Sequence, residues 1–213
     1  YGIGQAILMK KDDGTYEVDT TVLGSLEIRE SYEHYGANAI FDEDKNVKYI
    51  IVSSMPDKGE IKPFDEMWEH AKWVWKVSLL TYVTLGPHLT QLHWTVSNNA
   101  DIASRTRLSN RHPIRKVLKV FLFNTGAINF VSTVYLSPEN SFLHRLSGLT
   151  YEGLATGFKH FASDFEYETF PNFLESKGLK EENIPLVTDA KPIWEAFHKF
   201  FKAYVDIYYE DDD

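Results

Sequence analysis

Apolar and polar positions change rhythm once along this chain. Before residue 64 the apolar runs are short and broken by charge. "AILMKKDDGTYEVDTTV" predicts strand, turn, strand, with the turn at Asp13 and Gly14. "KYIIVSSM" (48–55) predicts another strand after the polar "FDEDKN". "YEHYGANAIFDEDKN" reads as an acidic solvated loop, since the ordered spacing of a calcium loop is absent. Pro56 and Pro63 bound a connection.

From Phe64 onward the spacing is helical. "FDEMWEHAKWVWKVSLLTYVTL" lacks Gly and Pro and predicts about six helical turns. Trp68, Trp75 and Leu79 fall along one side of it. In "GPHLTQLHWTVSNN", Pro87 fits a first helical turn or kinks a longer helix. "SNNADIASRTRLSNRHPIRKVLKVFLFNTGAINFVSTVYL" predicts two or three helices jointed at Pro113. "SPENSFLHRLSG" predicts a turn and a short helix capped by Ser137 or Asn140. "TFPNFLESKGLKEENIP" predicts a short helix ending at Gly178. "KPIWEAFHKFFKAYVDIYYEDDD" predicts a final amphipathic helix with Pro192 in its first turn. Its buried face is expected to carry Trp194, Tyr208 and Tyr209. The fold class is therefore mainly α with a small N-terminal β region. Residues 1–63 form a β/loop region leading into a helical core segment, 64–213.

Composition narrows the chemistry. At 43% hydrophobic and 15% aromatic, the 213 residues call for a packed interior. Cysteine is absent, which excludes thiol nucleophiles, disulfides and cysteine-ligated metals. A net charge of -9 argues against a nucleic-acid partner. No apolar run reaches the ~18 residues of a transmembrane helix. One stretch runs against the acidic whole. Residues 105–119 hold Arg105, Arg107, Arg111, Arg115, Lys116 and Lys119, either a solvated helix face or a contact for a fatty carboxylate or anionic lipid head. No dinucleotide, phosphate-loop or serine-elbow motif is present.

Among the eight histidines, His88 and His93 stand five residues apart. On a regular α-helix they point about 140° apart. A π-type turn within 87–94 brings them to nearly the same side. Spacing alone leaves two readings: ligands of one ion on a distorted helix, or half-buried histidines bonded to neighbours. Imidazole suits iron, manganese and zinc, and Asp101 is the nearest downstream carboxylate. His70 reads as a packing residue, and His112, His144 and His160 as surface or cap histidines.

Several pieces, taken in chain order, resemble the catalytic domain of a lipoxygenase. "WEHAK" places Trp68, Ala71 and Lys72 as the family has them before its first metal ligand, and "HLTQLH" then supplies a His-x4-His pair. "IASRTRLSNRHPIRKVL" matches the family's order at Ile102, Ala103, Leu108, Ser109, His112 and Pro113. "FPNFLESKG" is similar to a later segment through Phe170, Pro171, Leu174, Lys177 and Gly178. The last helix is similar through Ile193, Trp194, Tyr204, Val205, Tyr208 and Tyr209.

The resemblance implies a non-heme iron dioxygenase that forms hydroperoxides from polyunsaturated fatty acids. It makes His88 and His93 metal ligands, with manganese as the other candidate metal. It places Leu89, Leu92 and Ile102 along an apolar substrate tunnel. A rival register puts His93 in the first ligand position and Asn98 in the second. The family's third histidine, its asparagine and its terminal isoleucine carboxylate have no counterpart here, and neither does the β-barrel domain of many members. The chain resembles a middle slice of the catalytic domain. Completion by a second polypeptide or a missing C-terminal part is the expectation, with iron held only then. The alternative is a non-catalytic lipoxygenase-homology subunit with a structural or lipid-contacting role in a larger assembly.

Overall fold

Among the described residues four short strands make one antiparallel meander: β1 Leu8–Lys10, β2 Tyr16–Asp19, β3 Ala37–Phe41 and β4 Val47–Val52. The structure, a computed structural model, describes residues 2–163 and 165–209. Cross-strand register places Leu8 opposite Val18, Val18 opposite Ala39, and Ala39 opposite Ile50. All four are buried, so one row of side chains defines the inner face. The predicted turn is present. Asp13 Oδ1 accepts from the Thr15 amide at 3.0 Å and from its hydroxyl at 2.6 Å, while Gly14 takes φ 84.

The acidic stretch expected as a solvated loop contains β3, the inner strand between β2 and β4. Ala37 and Ala39 are fully buried. Their methyl side chains give a weak apolar signal between charged flanks, and only pairing on both edges makes the segment a strand.

Among the described residues eight α-helices follow: α1 Trp68–Val83, α2 Asn98–Arg107, α3 Pro113–Phe121, α4 Thr125–Tyr135, α5 Phe142–Leu146, α6 Tyr151–Ser163, α7 Phe170–Ser176 and α8 Pro185–Asp206. The architecture is mainly α-helical with a small N-terminal sheet, as the sequence predicts. Ala71 and Val74 of α1 pack on the inner face of the sheet with Ala37, Ile50 and Val52. A second cluster joins Leu8, Tyr16 and Val18 to Leu79, Leu174 and Leu179. A third centres on Leu23, Leu85, Leu149, Leu154 and Phe161. Sheet and helices thus share their core.

Boundaries depart from expectation in three places. Helix α1 begins at Trp68 because Phe64 lies at φ 78 and is fully exposed. Helix α5 is preceded by Ser141, not by a capping Ser137 or Asn140; the Asn140 amide instead donates to His144 Nδ1 at 2.9 Å. Helix α8 starts seven residues before Pro192, with Pro185 in its first turn and Pro192 inside it. Its aromatic side is not a buried face: Trp194 is half-buried and stacks on His198, while Tyr208 and Tyr209 are 51% and 38% exposed. The end of α7 does follow the sequence. Gly178 sits at φ 67, and the Leu179 amide reaches back to the Leu174 carbonyl at 2.7 Å while Gly178 bonds Glu175. That is a Schellman closure, with buried Leu174 and Leu179 as its apolar contact.

Glu182, in the α7–α8 connection, ties these helices to the sheet. It accepts from Lys10 of β1 at 2.7 Å and pairs with Lys45 of the β3–β4 turn at 3.1 Å. Burial acts to raise its pKa, but hydrogen bonds from Lys10, Tyr16 and Lys45 outweigh that and lower it from 4.5 to about 2. A depressed folded-state value adds stability above the unfolded pKa and loses it as pH falls from about 4.5 toward 2. With solvent screening allowed for, that contribution is on the order of 1 kcal/mol. Glu182→Gln should therefore lower stability near neutrality and flatten the acid limb; urea midpoints measured across that pH window check both.

Among the described residues no single helix is long and apolar enough to cross a membrane. Helices α3 and α4 together meet that measure of length and composition, but with a 45° bend between them.

Candidate functional site

Between α1 and α2 the backbone stays helical but changes pitch. Residues Thr84–Ser97 form a π-helix, so the distortion that the histidine spacing requires runs through the whole segment. The local sequence explains it. Pro87 has no amide to give the i→i−4 ladder. Three hydroxyls then bond carbonyls five residues back: Thr90 to Leu85 at 2.6 Å, Thr95 to Thr90 at 2.7 Å and Ser97 to Leu92 at 2.9 Å. The buried side of the π-helix, with Leu85, Gly86 and Leu89, is held against α6 and its neighbours. Gly86 lies so close to Phe161 that a β-carbon there would come within 2.7 Å of the ring.

This geometry brings His88 and His93 together. Their ring centroids are 5.1 Å apart, with planes inclined at 52°. His88 is exposed and His93 half-buried. His93 is gripped by Asn129 of α4. The Asn129 amide nitrogen donates to the His93 carbonyl at 2.8 Å, and its Oδ1 lies 3.1 Å from His93 Nδ1. Since the nitrogen end is committed to the carbonyl, the oxygen end faces the ring. Nδ1 must then carry the proton, and Nε2 keeps its lone pair. Asn129 is 4% exposed and was not singled out by sequence reasoning.

Asp101 does not join the pair as a free carboxylate. It is 6% exposed, and its Oδ1 accepts from Arg105 Nε at 2.7 Å. Asn98, the second ligand position in the rival register, is the first residue of α2 and half-buried. Among the described residues no group of three or more His, Asp or Glu side chains is placed to hold a metal ion. His70 approaches Glu33 at 3.6 Å, and His112 lies 3.5 Å from the Tyr209 hydroxyl.

A cavity of about 870 Å³ opens beside the π-helix, where Pro87, Gln91, Leu92 and Val96 form part of its wall. Of the three proposed tunnel residues, Leu92 lines this cavity and Leu89 and Ile102 do not. Leu89 is buried, whereas Ile102 is 51% exposed on α2.

The arrangement of a small sheet and long helices matches that of solved lipoxygenase structures. The crystal structure of Delta413-417:GS LOX superposes with a TM-score of 0.83 at 20% identity, covering 93% of this chain and 33% of that one. The manganese lipoxygenase of Gaeumannomyces graminis gives a TM-score of 0.77 at 22% identity, covering 92% of this chain and 38% of that one. In sequence the chain is 25% identical over 170 residues to linoleate 9S-lipoxygenase B of Solanum lycopersicum, covering 71% of this chain and 20% of that protein. It is also 25% identical over 158 residues to the chloroplastic lipoxygenase 2 of Tanacetum cinerariifolium, covering 64% of this chain and 18% of that protein. The chain thus spans about a fifth of the length of these curated relatives. No family model matches it.

Proposed function

We propose that this polypeptide serves as a lipoxygenase-homology scaffold with a structural and lipid-contacting role in a larger assembly, and is not a self-sufficient dioxygenase. The observation that carries this reading is the donor set. Two imidazoles stand side by side, the nearest downstream carboxylate is tied to Arg105, and no third histidine or carboxylate among the described residues joins them. A stable metal site needs more donors than two.

The pair itself favours a second reading, in which the same chain contributes His88 and His93 to an iron or manganese centre completed by donors from a second polypeptide or a further C-terminal part. Imidazoles bound at about 2.1 Å to one ion at near-tetrahedral or octahedral angles have ring centroids roughly 4.5–5.3 Å apart. The observed 5.1 Å fits. The Nδ1–H bond to Asn129 is the outer contact expected of a metal-bound histidine. Such a centre, once complete, would supply the oxidant for hydrogen abstraction from a polyunsaturated fatty acid. This chain's own part would be to orient the two rings and to wall the cavity along Leu92. Residues 64–213 would form a helical core segment of that unit and 1–63 the β/loop region leading into it.

Metal content by mass spectrometry and oxygen uptake on linoleate separate the readings. The purified chain is expected to hold iron at well below one equivalent and to show no uptake. Stoichiometric iron with turnover from this chain alone overturns the scaffold reading. If a complementary polypeptide restores both, His88→Ala or His93→Ala should abolish them and His144→Ala should not.

A further inference from the structure

Helix α4 is inside out. Its polar Asn129 and Ser132 are buried, whereas Ile128, Phe130, Val131, Val134 and Tyr135 are 42–68% exposed. The corner before it adds Phe123, 73% exposed, and α3 adds Val120 at 72%. Isolated exposed apolar residues are ordinary, but a contiguous series on one bent helix pair calls for an apolar cover.

Charge identifies the cover. Residues 102–138 contain six Arg or Lys and no Asp or Glu, in a chain whose net charge is -9. Arg105 is taken by Asp101, and Arg115 turns inward to donate to the Leu108 carbonyl at 2.7 Å. Arg107, Arg111, Lys116 and Lys119 remain exposed. Lys116 and Lys119 share the outer side of α3 with Val120, while Val117 is buried on the inner side. Long cationic side chains beside protruding aromatics are the composition of a helix that lies in a membrane interface. The bend and the polar underside of α4 suit an element lying in the surface, not one passing through it.

We infer that the α3–α4 corner is a docking surface for an anionic lipid bilayer, with Phe123 and the outer residues of α4 entering the headgroup boundary and Arg107, Arg111, Lys116 and Lys119 meeting lipid phosphates and carboxylates. This gives the lipid-contacting part of the proposed role a place on the molecule; it is independent of whether His88 and His93 hold a metal.

Co-sedimentation of the full chain with vesicles tests it. Binding is expected to phosphatidylcholine vesicles containing phosphatidylserine, to weaken with salt, and to be much weaker on phosphatidylcholine alone. Each surface-facing cation contributes about fivefold to partitioning, so Lys116→Gln with Lys119→Gln should lower it by roughly twenty-five-fold. Phe130→Ser should lower it as well, whereas Lys58→Gln, on the sheet side, should leave it unchanged. All four side chains are exposed, and circular dichroism should show the fold intact. Absence of vesicle binding overturns the inference, as does equal binding to neutral vesicles. So does lipid-free self-association that Phe130→Ser abolishes, since a protein would then be the cover. Metal content and oxygen uptake remain a separate test of the scaffold reading, so a failure of one is not a failure of the other.

Discussion

Gly153→Ala is expected to destabilise the chain by about 3 kcal/mol or more, the upper end of what overpacking costs. Gly153 occupies the third position of α6, where the segment 148–150 runs against 27–29. The Ile28–Leu149 bridge, the Thr150 amide on the Glu27 carbonyl at 3.0 Å and the Arg29 amide on the Gly148 carbonyl at 2.8 Å hold the two together. Thr150 Oγ1 caps the helix by accepting from the Gly153 amide at 3.0 Å. A β-carbon at residue 153 would lie 2.2 Å from the Glu27 carbonyl oxygen. Both sides of that clash are backbone, so no rotamer relieves it and α6 must move outward. Helix α6 carries Leu154 and Phe161, the floor on which Leu85 and Gly86 of the π-helix rest. The loss should therefore reach the histidine pair. A drop of about 6–12 °C in melting temperature is the expected scale for a chain of this length. Gly126→Ala is the matched control. Its β-carbon meets only a side-chain atom, the Asp101 Oδ2 at 3.2 Å, which needs to give by no more than a few tenths of an ångström while Oδ1 keeps its Arg105 bond, so its change should stay within about 1 kcal/mol. Equal melting of the two variants would show that the close approach at Glu27 is not holding α6.

What the sequence made legible follows from how local each cause is. The first hairpin depends on Asp13, Gly14 and Thr15, three adjacent residues, and was readable. The end of α7 depends on one glycine with apolar neighbours, and was readable for the same reason. The π-segment was readable only as a condition, since five-residue spacing brings His88 and His93 together solely on a widened helix. Its stabilising Thr and Ser hydroxyls look unremarkable in a string of letters. Strand β3 was hidden because its burial is imposed by β2 and β4, not announced by Ala37 and Ala39. The outward apolar side of α4 was hidden for the converse reason: a helical run of Phe, Val and Ile reads as core until the structure shows which side is covered. Asn129 was invisible because its partner is 36 residues away in sequence and no spacing rule links them.

Asn129→Leu should separate the local and tertiary causes of the histidine geometry. The substitution keeps roughly the side-chain volume but removes the acceptor at His93 Nδ1 and the donor to the His93 carbonyl. Leaving buried polar groups unpaired costs about 1–3 kcal/mol each. The carbonyl keeps a bond from Ser97 Oγ at 3.0 Å, so the loss falls mainly on the ring. A total near 2 kcal/mol is expected, read from chemical unfolding. The more telling readout is the tautomer. In the parent chain ¹⁵N spectra of neutral His93 should show the proton on Nδ1, because the amide is oriented by the carbonyl. With leucine that preference should vanish and the Nε2–H form, favoured by an unconstrained neutral histidine side chain, should take over. Asn129→Asp retains an acceptor and loses the donor, so it should keep the Nδ1–H form while sharing part of the stability loss. A merely space-filling Asn129 predicts the same tautomer in all three proteins. If the π-helix alone fixed the rings, the 5.1 Å approach of His88 and His93 would likewise survive the leucine variant with both rings ordered. If Asn129 holds the inner ring, His93 should become mobile while His88, already exposed, changes little. Any metal the pair can recruit, alone or in a completed centre, should then bind more weakly to Asn129→Leu than to Asn129→Asp, because an Nε2 that carries a proton has no lone pair to give.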